Sequence, residues 1–466
     1  ASSISADTLR IPPERKLKPT TMSSLPLPEK VNVLLIGSGG REHAIAWRLS
    51  QSTHLGKLWV DSNANAGLLA LGTACPEEFS LKRKYYLERW LVQENIGFII
   101  IGPEGPLAEG MVDALENPER PIFGPTKAAA RLEWDKAYAK TIMRQTSIPT
   151  PEGRVCTTLG AALAYVTERD EPCVVKATGL CAGKGVTVCK DKHEAIAAVR
   201  KCMESKEFGD AGTSVVIEER LEGQEVSVLA LVDGRTITVL DTCQDHKQVG
   251  EGDTGPNTGG MGAFCPTPLL SDADLQAIAR DVFVPAVDGL RRQGIEFRGV
   301  LFAGLMLTHA GPKVLEFNCR FGDPETQVLM ARFQGDLLKT LWLTATGRLA
   351  DAEFSFDPRT ACCVVVCSEG YPGEVRKGLP ITGLLPLPKA SSSPTGALMF
   401  HSGTKAEKMG KIVTNGGRVV GPTALGESLA EATRLATASA SQTTFSGAFF
   451  RKDIGHRTMF RTKLAT

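Results

Sequence analysis

The sequence predicts an α/β protein, α+β when taken as a whole, divided into several domains. Three observations carry that prediction. From Val31 onward, continuous apolar stretches alternate with amphipathic ones, the pattern of a parallel sheet covered by helices. Beyond Pro151 this gives way to pairs of strands joined by short polar turns. A chain of 466 residues also exceeds what one hydrophobic core sustains, so three or so domains are expected. Changes of character along the chain put the boundaries at residues 1–30, 31–135, 136–350 and 351–466.

Residues 1–30 lack periodicity, are rich in Ser and Pro, and are expected to be disordered. Asp7, Glu14 and Glu29 speak against an organelle-targeting peptide, since such peptides are poor in acids. Met22 leaves the residues before it dispensable. The expected location is cytoplasmic, with organellar import left open.

From Val31 the elements follow in order. "VNVLLIG" reads as a strand, "SGGREHA" as a glycine-rich turn and "IAWRLSQS" as a helix. "KLWVDS", "IGFIIIGPEGP" and "RPIFGPT" supply further strands, with helices in "YYLERWLVQEN" and "GMVDALEN". The first turn either brings a phosphate to a helix N-terminus or is only a tight strand-to-helix turn. A dinucleotide fingerprint is disfavoured, because Glu42 stands where the third glycine belongs. "AAARLEWDKAYAKTIMRQTSI" reads as one long helix, ended by a "PTP" hinge.

Next, "CVVKATGLCAGKGVTVCKDKHEAIAAV" reads as strand, turn, strand and helix, with Lys176 on the first strand and Lys184 in the turn. Gly179, Ala182, Gly183 and Gly185 would let a phosphate approach the backbone; the alternative is a surface hairpin with solvated lysines. It is no Walker A loop, since GxxxxGK[ST] is absent. In "SVVIEERLEGQEVSVLALVDG", Glu225 falls between two strands and needs a donor such as a ribose hydroxyl. "GVLFAGLMLT" and "PKVLEFNCRFGDPETQ" form a hairpin through "HAGP". Glu316 and Asn318, two apart, share one strand face and offer the oxygen donors that Mg²⁺ takes. Arg320, Asp323 and Glu325 crowd the turn beside them. "QDHKQVGEGDTGPNTGGMGAF" has neither strand nor helix periodicity, and reads as an irregular loop that presents backbone N–H groups to an anion. Such a loop should contribute little apolar burial.

Composition narrows the function classes. The chain is 42% hydrophobic and 23% charged, with net charge +1, as in an ordinary soluble enzyme; neither nucleic acid nor a membrane surface is indicated as a partner. Apolar runs such as "CCVVVC" fall far short of the ~20 residues that span a bilayer. The 12 cysteines show no CxxC or Cys/His metal spacing and read as reduced thiols, mostly small core residues.

Taken in order, these pieces resemble an ATP-grasp carboxylate–amine ligase. "IGSGGREHA", "QDHKQVGEGDTGPNTGGMGAF" and "EFNCRFGDPETQ" resemble the phosphoribosylamine–glycine ligase (glycinamide ribonucleotide synthetase) family in particular. The likeness runs from about Val31 to about Arg457, through "HSGTK", "VTNGGRVVGPTALG" and "FRKDIG". It implies a parallel-sheet domain, an ATP-grasp domain with a lid at about 152–222, and a small C-terminal domain. Lys136, Lys176 and Lys184 would then meet ATP, with Glu218 and Leu221 at its hinge and Glu225 on the ribose. Glu316 and Asn318 would hold Mg²⁺ or Mn²⁺. Gly39, Gly40 and Arg41 would belong to the phosphoribosylamine site. Asp245, His246 and Lys247, with Asn257, Thr258, Gly259, Gly260, Met261 and Gly262, would form a substrate loop. Arg320, Asp323 and Lys247 would be the catalytic set, the first two holding glycine or its acyl phosphate. Where the family reads "LEGSK" this chain has "LEWDK", so either the lid edge packs differently or the ATP contacts near Lys136 change.

The implied reaction joins glycine to 5-phosphoribosylamine at the expense of ATP, through a glycyl phosphate, in purine biosynthesis. No nucleophilic triad is required, and neither His43 nor His246 is expected to be an essential base. A biotin-carboxylase-like or peptide-forming ligase would lack "DTGPNTGGMG", and a non-catalytic nucleotide-binding protein would lack Glu316 and Asn318. The chain's stop soon after "FRKDIG" disfavours a fusion with later pathway activities. The expected partners are small molecules, and the expected assembly is a monomer or weak homo-oligomer.

Overall fold

The computed structural model describes residues 25–76, 81–181, 184–386 and 396–459. Most of the extension expected to be disordered, and Ala182 and Gly183 of the lysine-bearing turn, lie outside the described residues. Within them, Leu25 and Leu27 already pack against the main core, and Trp342 Nε1 donates to the Leu25 carbonyl at 3.4 Å.

The first body is a parallel sheet of β1 (Val31–Ile36), β2 (Leu55–Val60), β3 (Thr73–Ala74), β4 (Ile96–Ile101) and β5 (Ile122–Phe123), in the order β3-β2-β1-β4-β5. Val33, Leu34 and Leu35 are fully buried, as expected where helices cover both faces. Helix α1 (Gly40–Leu49) leaves the glycine turn.

The long helix expected before the hinge is two helices, α2 (Lys127–Trp134) and α3 (Lys136–Gln145). Asp135 breaks it: its backbone is extended, and its carboxylate accepts from Tyr138 N as the N-cap of α3. The Lys136 amide, which a continuous helix would have used, donates instead to the Thr178 carbonyl at 2.9 Å.

The lid is an antiparallel sheet of β6 (Gly153–Cys156), β7 (Cys173–Ala177), β8 (Val186–Cys189) and β9 (Val215–Glu219), in the order β6-β9-β7-β8, with its own small core. The central sheet is also antiparallel. It joins β10 (Gln224–Asp233), β11 (Ile237–Val239), β16 (Arg298–Thr308) and β17 (Gly311–Asn318). Glu225 thus lies within β10, not between strands.

The glycine-rich stretch is not irregular. After β12 (Gln244–Asp245), a hairpin of β13 (Gln248–Gly250) and β14 (Thr254–Asn257) turns through Gly252 and Asp253, at φ 66° and 57°. Strand β15 (Gly262–Cys265) follows, with Ala263, Phe264 and Cys265 fully buried, so the stretch contributes to the core after all. Strand β15 pairs with β18 (Thr360–Val364), which lies in the C-terminal region. The sheet continues through β21 (Arg418–Gly426), with β20 (Leu398–His401) beside it, to β19 (Val366–Ser368) and β22 (Ala448–Phe449).

All twelve cysteines are free thiols, and all but Cys181 are buried. No helix among the described residues is long and apolar enough to cross a membrane.

Candidate active site

A cleft of about 540 Å³ opens where the first domain, the lid, the central sheet and the C-terminal region meet. Of the residues singled out in the sequence, Arg41, Lys136, Lys176, Glu218, Leu221, Glu225, Asp245, Lys247, Asn257, Thr258, Gly259, Glu316, Asn318, Arg320 and Asp323 line it.

At the lid end, Glu218 of β9 is buried between two ammonium groups. Lys176 Nζ of β7 and Lys140 Nζ of α3 each stand 2.6 Å from one of its carboxylate oxygens. Lys140 is 1% exposed and also donates to Thr150 Oγ1 and to the Pro151 carbonyl, fastening the hinge. Burial pulls its pKa down, while Glu218 pulls it up. Lys140 was missed in the sequence, although it follows Lys136 by four residues on one helix, a spacing that puts both on one face. Lys136 Nζ meanwhile donates to the Gly179 carbonyl of the lid turn at 2.9 Å.

In the centre, Lys247 Nζ stands 2.9 Å from Glu225 Oε2 and 3.8 Å from Glu316 Oε1. Glu225 raises the Lys247 pKa, outweighing burial. Burial would raise the Glu316 carboxyl, but Lys247, Lys176 and Lys136 together hold it below the usual carboxylate range. Glu316 pairs in register with Gly304, whose missing side chain leaves the carboxylate its room.

Beyond Asn318, Arg320 Nη2 donates to Asn318 Oδ1 at 3.2 Å and meets Glu133 at 2.9 Å, with Glu104 at 3.4 Å. Burial opposes the Arg320 charge, but Glu133 and Glu104 raise its pKa further. Neither acid was singled out in the sequence, where Glu104 fell at the end of a stretch read as a strand and Glu133 inside a stretch read as one long helix. Asp323 accepts from Gln327 Nε2 at 2.7 Å and the Arg41 amide at 3.3 Å, and faces Arg418 Nη1 at 3.4 Å. Arg418, of the "VTNGGRVVG" segment, also donates to the Gly259 carbonyl at 2.6 Å, and Tyr371 Oη accepts from the Gly259 amide. Asp245 Oδ1 is buried with no hydrogen-bond partner among the described residues; burial, then Glu325, pushes this carboxyl well above its ordinary range.

Seven of the expected residues do not line the cleft. Gly39 and Gly40 open α1; a Cβ on Gly40 would come within 2.5 Å of Ser402 Oγ and 2.6 Å of Gln327 Nε2, so close packing requires this glycine. His246 is buried, its Nε2 accepting from the Gly455 amide at 3.0 Å. Met261 and Gly262 are interior. Gly260 adopts φ 113°, where a Cβ would also meet Pro324 Cδ at 2.5 Å. Lys184 is exposed at the lid turn.

Comparison with known proteins agrees with this geometry. The phosphoribosylglycinamide synthetase N domain matches residues 31–133, the ATP-grasp (A) domain 134–326 and the C domain 361–457. The chain is 44% identical over 439 residues to phosphoribosylamine–glycine ligase of Rhodopirellula baltica, covering 92% of this chain and 98% of that protein. It is 45% identical over 432 residues to the human trifunctional purine biosynthetic protein adenosine-3, covering 91% of this chain and 42% of that one. A crystal structure of the Thermotoga maritima phosphoribosylamine–glycine ligase superposes with TM-score 0.77 at 33% identity, covering 91% of this chain and all of that one. With three matching domains in order around one charged cleft, the chain belongs to the phosphoribosylglycinamide synthetase family and is an ATP-grasp ligase of the phosphoribosylamine–glycine type.

Proposed function

We propose that the cleft joins glycine to 5-phosphoribosylamine through a glycyl phosphate, with ATP held between lid and central sheet. The glycine carboxylate attacks the γ-phosphorus, releasing ADP; the amine then attacks the acyl carbon, forming the amide and expelling phosphate. No covalent enzyme intermediate is needed, so the protein's work is positioning and charge. Lys136 and Lys176 supply positive charge near the phosphates. Lys247 and Arg320 face charge developing at the transferring group. Asp245 Oδ1, an unpaired acceptor with a raised pKa, suits the proton that the amine gives up. The lid excludes water from an acyl phosphate that would otherwise hydrolyse.

Glu316 and Asn318 fit a divalent cation. Their donors are hard oxygens on one strand face, the Glu316 carboxylate has among the described residues one ion pair, the long 3.8 Å contact to Lys247, and Asn318 Oδ1 keeps a second lone pair. Mg²⁺ or Mn²⁺ bound there would neutralise phosphate charge. The observation that carries this reading is the Glu225–Lys247–Glu316 cluster, set beside Asn318 in the cleft that the lid lysine also lines.

Two measurements test it. With glycine labelled by ¹⁸O in its carboxylate, released phosphate should carry one label; unlabelled phosphate overturns the acyl phosphate. Glu316→Gln should lower turnover by about 10² or more, the scale of losing a charge-stabilising group. Near-native turnover at saturating Mg²⁺ would remove Glu316 from the metal site.

A further inference from the structure

The hairpin β13–β14 has two ends with different surroundings. Its base, at Lys247 and at Asn257 to Gly259, lines the cleft. Its tip, at 251–253, is gripped by the segment after β22. Arg451, 1% exposed, donates through Nη1 to the Gln248 carbonyl at 2.9 Å and to Asp253 Oδ1 at 3.1 Å. Its Nε and Nη2 are held in a two-pronged pair with Asp453, each at 2.8 Å. Asp453 in turn accepts from the Gly252 amide at 2.8 Å. Arg457 Nε donates to Asp253 Oδ2 at 2.7 Å, and the Gly455 amide donates to His246 beside Lys247.

None of these groups lines the cleft, yet together they fix both the tip and the strand entering it. The grip has work to do. Asp253 holds φ 57°, a left-handed conformation that a non-glycine residue adopts at a cost. Burial would raise the Asp253 carboxyl; Arg457 and Arg451 outweigh it and keep it anionic.

We propose that Arg451, with Asp453, is a positioning residue: the segment 451–457 is a strap that sets the hairpin so that Lys247 and Asn257 reach the substrates. This rests on the reading of the cleft given above. A lysine displaced by an ångström or so at a reacting centre costs rate steeply. A hairpin with a left-handed tip and little apolar cover does not hold its place unaided.

The test uses the full chain with Arg451→Met, Arg451→Lys, Asp253→Asn and Lys247→Met. Arg451→Met should lower kcat/KM for phosphoribosylamine about tenfold or more, while Kd for ATP stays within about twofold. A general loss of fold would weaken both. Arg451→Lys should recover part of the loss. Arg451→Met and Asp253→Asn combined should cost less than the sum of the singles, because they break one contact. Should Arg451→Met not fold, Asp253→Asn carries the test, since it removes charge and not volume. In that variant a glutamate-specific protease should cut after Glu251 faster than in wild type.

A folded Arg451→Met with wild-type kinetics, or Asp253→Asn with unchanged cleavage and turnover, overturns the strap. If Lys247→Met is inactive in the same assay, only the strap has failed. If Lys247→Met is also fully active, the reading of the hairpin as part of the active site falls, and the strap with it.

Discussion

His401 is 6% exposed, where β20 meets α1; its Nδ1 lies 3.0 Å from Thr404 Oγ1 and its backbone amide donates to His43 Nδ1. Burial lowers its pKa to about 4. The unfolded chain, near 6.5, therefore binds the proton first as pH falls, so stability rises with pH between about 4 and 6.5 and is lost on acidification through that window. At pH 5 this one residue should cost about 2 kcal/mol relative to pH 7. Urea unfolding of wild type and His401→Gln at both values checks it: the variant should lose less between pH 7 and pH 5. An equal loss would locate the acid sensitivity elsewhere: in His43, which touches His401 and whose pKa burial also lowers, or in His246, whose pKa burial lowers to about 3.

At the scale of elements, the joint between α3 and the lid depends on Lys140. Lys140→Met would leave Glu218 buried with one of its two cations, and breaking a buried pair in this way costs about 3 kcal/mol. The hinge at Thr150 and Pro151 would loosen as well, so ATP affinity should fall alongside stability. Calorimetric titration and denaturant unfolding measure the two; Glu218→Gln added to Lys140→Met should restore part of the stability. Unchanged stability and affinity would make Lys140 a bystander.

The same joint shows what the sequence could and could not reveal. Four of the five strands from Val31 to Phe123 were legible because burial on both faces demands unbroken apolar runs; β3, two partly exposed residues at the sheet edge, was not. Glu316 and Asn318 were legible because alternate strand residues share a face. The break at Asp135 was not, because its cause is the hydrogen bond that the Lys136 amide donates to the Thr178 carbonyl, more than forty residues away, and helix propensity does not register it. The hairpin β13–β14 escaped for a similar reason: its strands are short and its side chains polar, and Arg451 and Asp453 hold it from the far end of the chain. Glu104, Glu133 and Arg418 matter only through the distant residues they meet.

Across the whole molecule, the C-terminal region reaches into the cleft through Arg418, which lies on β21 and bonds both Gly259 and the Asp323 carbonyl. Arg418→Met should reduce turnover about tenfold by releasing Gly259 and Asp323 together, with ATP affinity little changed because the lid lysines are untouched. Equal losses of turnover and of ATP affinity would instead mean that domain packing had failed.

Strand β15 belongs by chain order to the central domain but lies in the C-terminal sheet, paired with β18. A gene cut between them, at the connection near residue 350, would make two polypeptides, each with an open apolar strand edge. Such edges recruit any strand available. Produced separately, the halves should be insoluble; produced together, they would find in each other the one partner whose register fits. The seam that looks like a domain boundary is thus a poor place for recombination to exchange parts between relatives, and a good place to build a reporter that glows only when two fragments meet.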